Sequence, residues 1–279
     1  MAKFGFSLQG SYNRPMTQVV DLLADIGFCA ISPGCELKSA LRAVVSQARL
    51  RDMTLQSLHG PLRGMPAMWS HDPEVAAPLL REIMDALEDC ARFEIPLLVL
   101  HPWNGVEYTF RQEDLCFAHY DALVSRAEKL GICIALENLE GPEYLCALLD
   151  RYEGSSAVGF CWDSGHERCY TPGWDPLARY GHRLVMTHLN DNLGVSDPDG
   201  HLQGTDDLHL LPFHGTLDWN DTVLRLKRAK PQNILNFELK IRPKGHRCKL
   251  DLYSHLPLDQ YFREAYEKAV LAVGSYFQE

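Results

Sequence analysis

The chain has 279 residues, 46% of them hydrophobic and 23% charged, and Lys+Arg 27 against Asp+Glu 37 leave a formal net charge of −10. That composition excludes a disordered or collagen-like chain, and the length suits one large α/β barrel or two small domains. No run of eighteen apolar residues occurs, which excludes a spanning helix, and the acidic balance argues against generic binding of nucleic-acid phosphates.

The opening MAKFGFSLQGSYNRP turns polar after Leu8 without an apolar export segment. Nine cysteines include no C-x-x-C pair. Both features point to a reducing, cytoplasmic setting, and Cys29, Cys133 and Cys161, set inside apolar runs, read as small core residues.

In chain order, short apolar runs predict strands at residues 3–8, 28–32, 54–58, 97–100, 132–137, 158–163, 184–189 and 234–239. They are too short for helices and apolar nearly throughout, as strands buried on both faces of a parallel sheet must be. Helical spacing falls between them at residues 17–26, 37–50, 73–93, 114–130 and 256–277. Gly27 stops the first of these, Asp72 before Pro73 is an N-cap signal, and Gly131 suits a C-terminal position past Leu130. Eight strands in βα alternation predict a single (β/α)8 TIM barrel over residues 1–279. The competing architecture, an open doubly wound sheet, lacks the G-x-G-x-x-G or G-x-x-x-x-G-K-[ST] turn expected after its first strand. The longest irregular stretch, residues 190–216, sits between the last two strands, where a long loop is usually functional.

Six successive strands end in a potential metal ligand. They stop at His59, at His101, at Glu137, at Asp163 with His166 three residues on, at His188 and at Glu238, while the long loop adds Asp207 and His209. In a barrel these ends converge on the catalytic face, and imidazole with carboxylate suits zinc, manganese, iron or cobalt better than calcium. One strand-end histidine is ordinarily structural; six such ends in a row are a site. His71, His119, His182 and His255 lie in helical or connecting segments and read as solvated.

The segments ALENLEG around Glu137, CWDSGH ending at His166, THLNDN at His188 and DLHLLPFHGTLDW from Asp207 to Trp219 resemble the xylose isomerase-like barrel superfamily. That superfamily includes sugar-phosphate isomerases, epimerases and endonuclease IV-type AP endonucleases, and the resemblance covers nearly the whole chain. The last segment matches D-x-H-x-x-P-x-x-G-x-x-x-W, with Phe213 where glycine is common.

The resemblance implies two arrangements. In the isomerases and epimerases, counterparts of Glu137, Asp163, His188 and Glu238 hold one divalent ion, zinc or manganese. There Glu137 and Glu238 exchange a proton next to a carbonyl through a metal-stabilised enediolate. His166 then contacts substrate or supports the ligands. In the AP endonucleases three zinc ions are held by counterparts of all nine residues: His59, His101, Glu137, Asp163, His166, His188, Asp207, His209 and Glu238.

Other segments favour a small carbohydrate substrate over DNA. The loop SPGCELK carries no arginine or aromatic residue, and GPLRGMPAMW offers no aromatic wedge directly after His59, although base extrusion needs such groups. Met65, Met68 and Trp69 read either as a flexible cover over a small pocket or as packing under a neighbouring loop. The basic run LKIRPKGHRCK after Glu238 nominates Arg242 as a substrate contact for an anionic group. Trp103, Trp162 and Trp174 are candidate pocket walls or rim packing, with Trp103 the nominated substrate contact. Association of the barrel into a homo-oligomer is also open.

Overall fold

The computed structural model describes residues 2–8, 12–242 and 251–278. Strands β1 Phe4–Leu8, β2 Ala30–Pro33 and β3 Thr54–Leu55 pair in parallel, β3 on β2 and β2 on β1, and β9 Leu235–Phe237 flanks β1 on its other side. A second parallel sheet runs β4 Leu58–His59, β5 Leu97–Leu100, β6 Cys133–Glu137, β7 Val158–Asp163 and β8 Leu184–His188. Pairing of Gly34 with His59 joins the sheets along one seam, and pairing of Leu189 with Phe237 joins them along the other. The result is a closed α/β barrel.

The third predicted strand is broken into β3 and β4. Its first half pairs with β2 and its second with β5, so Gln56 and Ser57 sit where the chain passes from one sheet to the other.

The helices form where the apolar spacing lets them cover the barrel. In α1, Met16–Ile26, Val19, Val20 and Leu23 face inward, and Gly27 ends it at φ 123° with its N–H on the Leu23 carbonyl. The helix expected at residues 37–50 is α only over α2, Leu41–Leu50. Before it a 3-10 turn, Cys35–Ala40, contains Lys38 at φ 42° and ψ −109°, a conformation that interrupts the α ladder. In α3, Pro73–Phe93, Asp72 accepts from the Glu74 N–H and Pro73 opens the first turn, as expected. Helix α4 is Ala118–Leu130, shorter at its start than the predicted 114–130, and ends at Gly131 in the left-handed region. Helices α5 Pro142–Arg151, α6 Ser164–Tyr170, α7 Pro176–Tyr180 and α8 Trp219–Arg228 follow their strands, and α9 Leu258–Val273 closes the ring.

Alternation along the strands sets which way each side chain points. Val99, Ala135, Cys161 and Met186 form a small fully buried cluster of their own, on β5 through β8. Each lies two residues before His101, Glu137, Asp163 and His188, so those four side chains follow it on the same face. The intervening Leu100, Leu136 and Trp162 belong to the larger core against the helices. Three sequence expectations need adjusting. Cys161 is fully buried, whereas Cys29 and Cys133 are half-buried; His71, His182 and His255 are exposed, but His119 is half-buried with Nε2 3.0 Å from the Ser70 carbonyl. The eight cysteines of the described residues are all unpaired, and no described helix is long and apolar enough to cross a membrane.

Candidate metal centre

Nine acidic and imidazole side chains meet at the C-terminal end of the barrel, all at least nine-tenths buried. They fall into three groups whose donor atoms lie within 4.8 Å of one another: His59, His101 and Glu137; Glu137, Asp163, His188 and Glu238; and His166, Asp207 and His209. Cys161 also joins Glu137 and His188 in such a cluster.

The groups are positioned by different parts of the fold. Asp163 pairs directly with His188 across β7 and β8, while Glu137 pairs with Cys161 across β6 and β7. Glu238 follows β9, where its N–H bonds to the Leu189 carbonyl. His166, one turn into α6, donates its backbone N–H to Asp163 Oδ1 at 2.7 Å. Asp207 and His209 arrive on the long loop, with His209 held at φ 49°.

The imidazoles are oriented as metal ligands commonly are, with one nitrogen tied to a carbonyl and the other turned inward. Nδ1 of His59 donates to the Gly60 carbonyl, that of His166 to the Asn138 carbonyl and that of His209 to the Glu238 carbonyl, at 3.0, 3.1 and 3.0 Å. A carbonyl only accepts, so each Nδ1 carries the proton and each Nε2 offers a lone pair in the neutral ring. Those Nε2 atoms face Glu137 Oε2 at 3.3 Å for His59, and Asp207 Oδ1 at 3.3 Å for His166 and 2.7 Å for His209.

The donor set fits a divalent cation. His188 Nδ1 lies 3.0 Å from Glu137 Oε2 and 2.7 Å from Glu238 Oε2, yet it makes a hydrogen bond with neither, and Glu238 Oε2 and Glu137 Oε1 are buried without a hydrogen bond. Buried polar atoms are rarely left so, whereas ligands around one ion with bonds of ~2.1 Å lie roughly 3 to 3.5 Å apart. The electrostatics agree. Burial alone would raise Glu137, but His188 and the nearby imidazoles of His101 and His166 hold it well below the usual carboxylate range. Burial likewise opposes charge on His188, and the neighbouring Cys161, Glu137 and Glu238 overcome it and push His188 well up. Burial lowers His101. Asp163 is pushed up to about 6 by burial, with Glu137 and Glu238 adding to the effect. The cluster therefore draws positive charge inward, and a cation serves that need with the imidazoles neutral.

Several supporting residues carried no signal of their own. Asn138 clasps Asp163 by both backbone groups at 2.8 Å, and Asn190 donates Nδ2 to both carboxylate oxygens of Asp163 at 3.1 and 2.9 Å. A side chain at Gly165 would run into Asn190, which explains the glycine of CWDSGH. Asp191 anchors the loop: Oδ1 accepts from the Asn192 and Leu217 N–H groups, and Oδ2 from the Phe213 N–H and Trp219 Nε1, at 2.8 to 3.1 Å. Phe213 stands at φ 69°, the left-handed backbone that makes glycine common there. The adjacent asparagines and Asp191 stood beside nominated ligands in ENLEG and THLNDN, the one signal available for them.

A cavity of about 390 Å³ opens above the donors. His101, His166, Asp207, His209 and Glu238 form its floor, and Leu62, Arg63, Asn104, Val106, Leu139, Glu140, Tyr170 and Lys240 are among its walls. Two nominated substrate contacts are not part of this lining. Trp103 stacks on Tyr144 at 4.2 Å and gives its Nε1 to the Gly105 carbonyl, so it props a pocket loop from behind. Arg242 is exposed and lines a separate cleft with Tyr12, Asn13 and Arg14; Lys244, His246, Arg247 and Lys249 of the basic run lie outside the described residues. Met65 and Met68 are fully buried, and Trp69 donates to the Pro102 carbonyl, so these three pack under a neighbouring loop and do not cover the cavity. Trp162 and Trp174 border other clefts.

Over residues 20–265 the sequence matches the family described as xylose isomerase-like TIM barrel. The chain belongs to that family. One relative, the uncharacterized protein y4fM of Sinorhizobium fredii, is 30% identical over 210 residues, covering 70% of this chain and 56% of the relative. The IolI protein with a binding zinc atom superposes with a TM-score of 0.77 at 19% identity, over 99% of this chain and 100% of that one. D-psicose 3-epimerase in the presence of D-fructose gives a TM-score of 0.72 at 15% identity, over 98% and 99% of the two chains. At those identities the likeness to the solved structures is one of fold.

Proposed function

We propose that this xylose isomerase-like protein is a divalent-metal-dependent isomerase or epimerase of a sugar or sugar phosphate. The observation that carries the reading is the convergence of Glu137, Asp163, His188 and Glu238, each on or just after its own strand, with Glu238 also lining a cavity of about 390 Å³. Small-molecule sites of this kind are concave clefts with a few convergent polar groups. The zinc of the IolI structure and the D-fructose of the epimerase structure support the same reading.

A bound zinc or manganese would polarise the carbonyl and hydroxyl oxygens of a ketose and favour loss of the proton between them. Glu137 and Glu238 would remove that proton and return one, and their carboxylates begin ionised because neighbouring imidazoles hold both low against the opposing effect of burial. His166, fixed through Nδ1 by the Asn138 carbonyl, would turn Nε2 toward a substrate oxygen. The test is solvent deuterium exchange. The metal-loaded enzyme is expected to exchange the carbon-bound proton of ketoses in D2O, read by NMR, and chelation is expected to stop it. Failure to exchange with a broad panel of free and phosphorylated ketoses would defeat the reading.

A second reading keeps one specific observation in its favour. All nine donors are assembled in three groups, the arrangement that the endonuclease IV-type resemblance implies for three zinc ions. Lys240 counts against a cation in the third group, since its ammonium lies 4.0 Å from Asp207 Oδ2. Cleavage of an abasic duplex by protein carrying about three zinc ions would establish this second activity.

A further inference from the structure

Among the described residues, the cavity wall contains one buried side-chain oxygen outside the donor groups with no hydrogen bond: Oε2 of Glu140. Glu140 is 8% exposed and lies three residues past Glu137, in the turn where Gly141 at φ 67° leads into α5. Leu139 beside it belongs to an apolar part of the wall. Leu139, Tyr170 and Val106 pack together with Cys169, and Leu139, Tyr170 and Val106 face the cavity. Burial raises the pKa of this carboxyl against the pull of His166 and of backbone N–H groups. The positive groups of the wall lie elsewhere: Arg63 is exposed, and Lys240 is directed to Asp207.

A hydroxyl satisfies such an oxygen, because it donates a hydrogen bond and brings no charge. A phosphate or carboxylate brings only acceptors and a second negative charge into a weakly screened space. The geometry points to Glu140 as a specificity residue that accepts a hydrogen bond from a substrate hydroxyl and selects an uncharged polyhydroxylated ketone over a phosphorylated or acidic one. Leu139 and Tyr170 would then contact the C–H face of the same molecule. The inference rests on the isomerase reading and narrows its substrate class.

The experiment is calorimetric binding to the metal-loaded enzyme of D-fructose, D-psicose and D-tagatose, each compared with its 6-phosphate. The wild-type protein is expected to bind at least one free ketose about tenfold or more tightly than its ester. In Glu140→Gln, which keeps an acceptor and loses the charge, affinity for the ketose should stay within about threefold while the ester gains about tenfold. In Glu140→Ala the ketose should lose about tenfold, with metal content per chain serving as the control for an intact site. If Glu140→Ala does not fold, the Gln variant alone decides. An ester bound as tightly as its ketose by the wild type, or a preference unchanged in the Gln variant, overturns the role of Glu140 and leaves the isomerase reading standing. Binding of no ketose and no ester overturns both.

Discussion

The four-donor and three-donor groups meet at one end of the barrel but are built differently. Glu137, Asp163 and His188 are strand residues in register with their neighbours, and Glu238 is tied by its N–H to the backbone after β8. Their positions are inherited from the barrel ladder. His166 sits on a helix of seven residues, while Asp207 and His209 come from a loop that needs left-handed backbone at His209 and has Lys240 beside it. Sites on strands are held more closely than sites on loops. On the proposed function, the contrast places the chemistry on the first group and leaves the second as orientation and lining.

Four experiments sharpen or break that contrast. Glu137→Gln preserves the side-chain shape and removes the charge shared by two of the three groups, so turnover should fall by about a thousandfold or more with the near-ultraviolet circular dichroism unchanged. A fully active variant would end its role in proton transfer. His209→Ala removes a loop imidazole and should cost less than about tenfold in kcat, because the strand-borne group keeps its donors. A loss matching that of Glu137→Gln would show that the groups act as one unit.

Lys240→Met removes the ammonium near Asp207 and is expected to raise the metal content, by mass spectrometry of the gel-filtered protein, from about one ion per chain toward two. An unchanged count would mean that Lys240 does not compete for that position. Smallest of all is Arg242→Glu, which should alter KM by less than about threefold because Arg242 borders another cleft. A strong rise in KM would return the basic run to the substrate site.

The barrel was legible because parallel strands buried on both faces leave continuous apolar runs, and because a βα repeat brings every strand end to one side. The six strand-end residues of the cluster stood out for the same reason, since polar residues at the ends of such runs have few other uses, while His166 followed Asp163 and the long loop added Asp207 and His209. The break between β3 and β4 was hidden, since Gln56 and Ser57 differ little from a strand in pattern but change pairing partner. Short helices such as α6 and α7 hold too few residues to show a period. Arg242 was nominated from its position after a strand, and the structure places it on a different cleft. Glu140 stood in plain view beside Glu137, yet its unmatched oxygen is a property of the packed wall and of no local pattern.

Asp191 has a consequence for how this barrel can change over time. Its four hydrogen bonds close the neck of the excursion between β8 and α8, and Asn192 adds a bond from Nδ2 to the Asp206 carbonyl. The far end of the same loop, residues 196–204, is mostly exposed. With the neck fastened, lengthening that end costs only loop entropy, about 0.6 kcal/mol for each doubling, and transmits little to His188 below. The excursion is thus a tolerant insertion point, where new segments for recognising larger molecules can be tried without remaking the donor cluster.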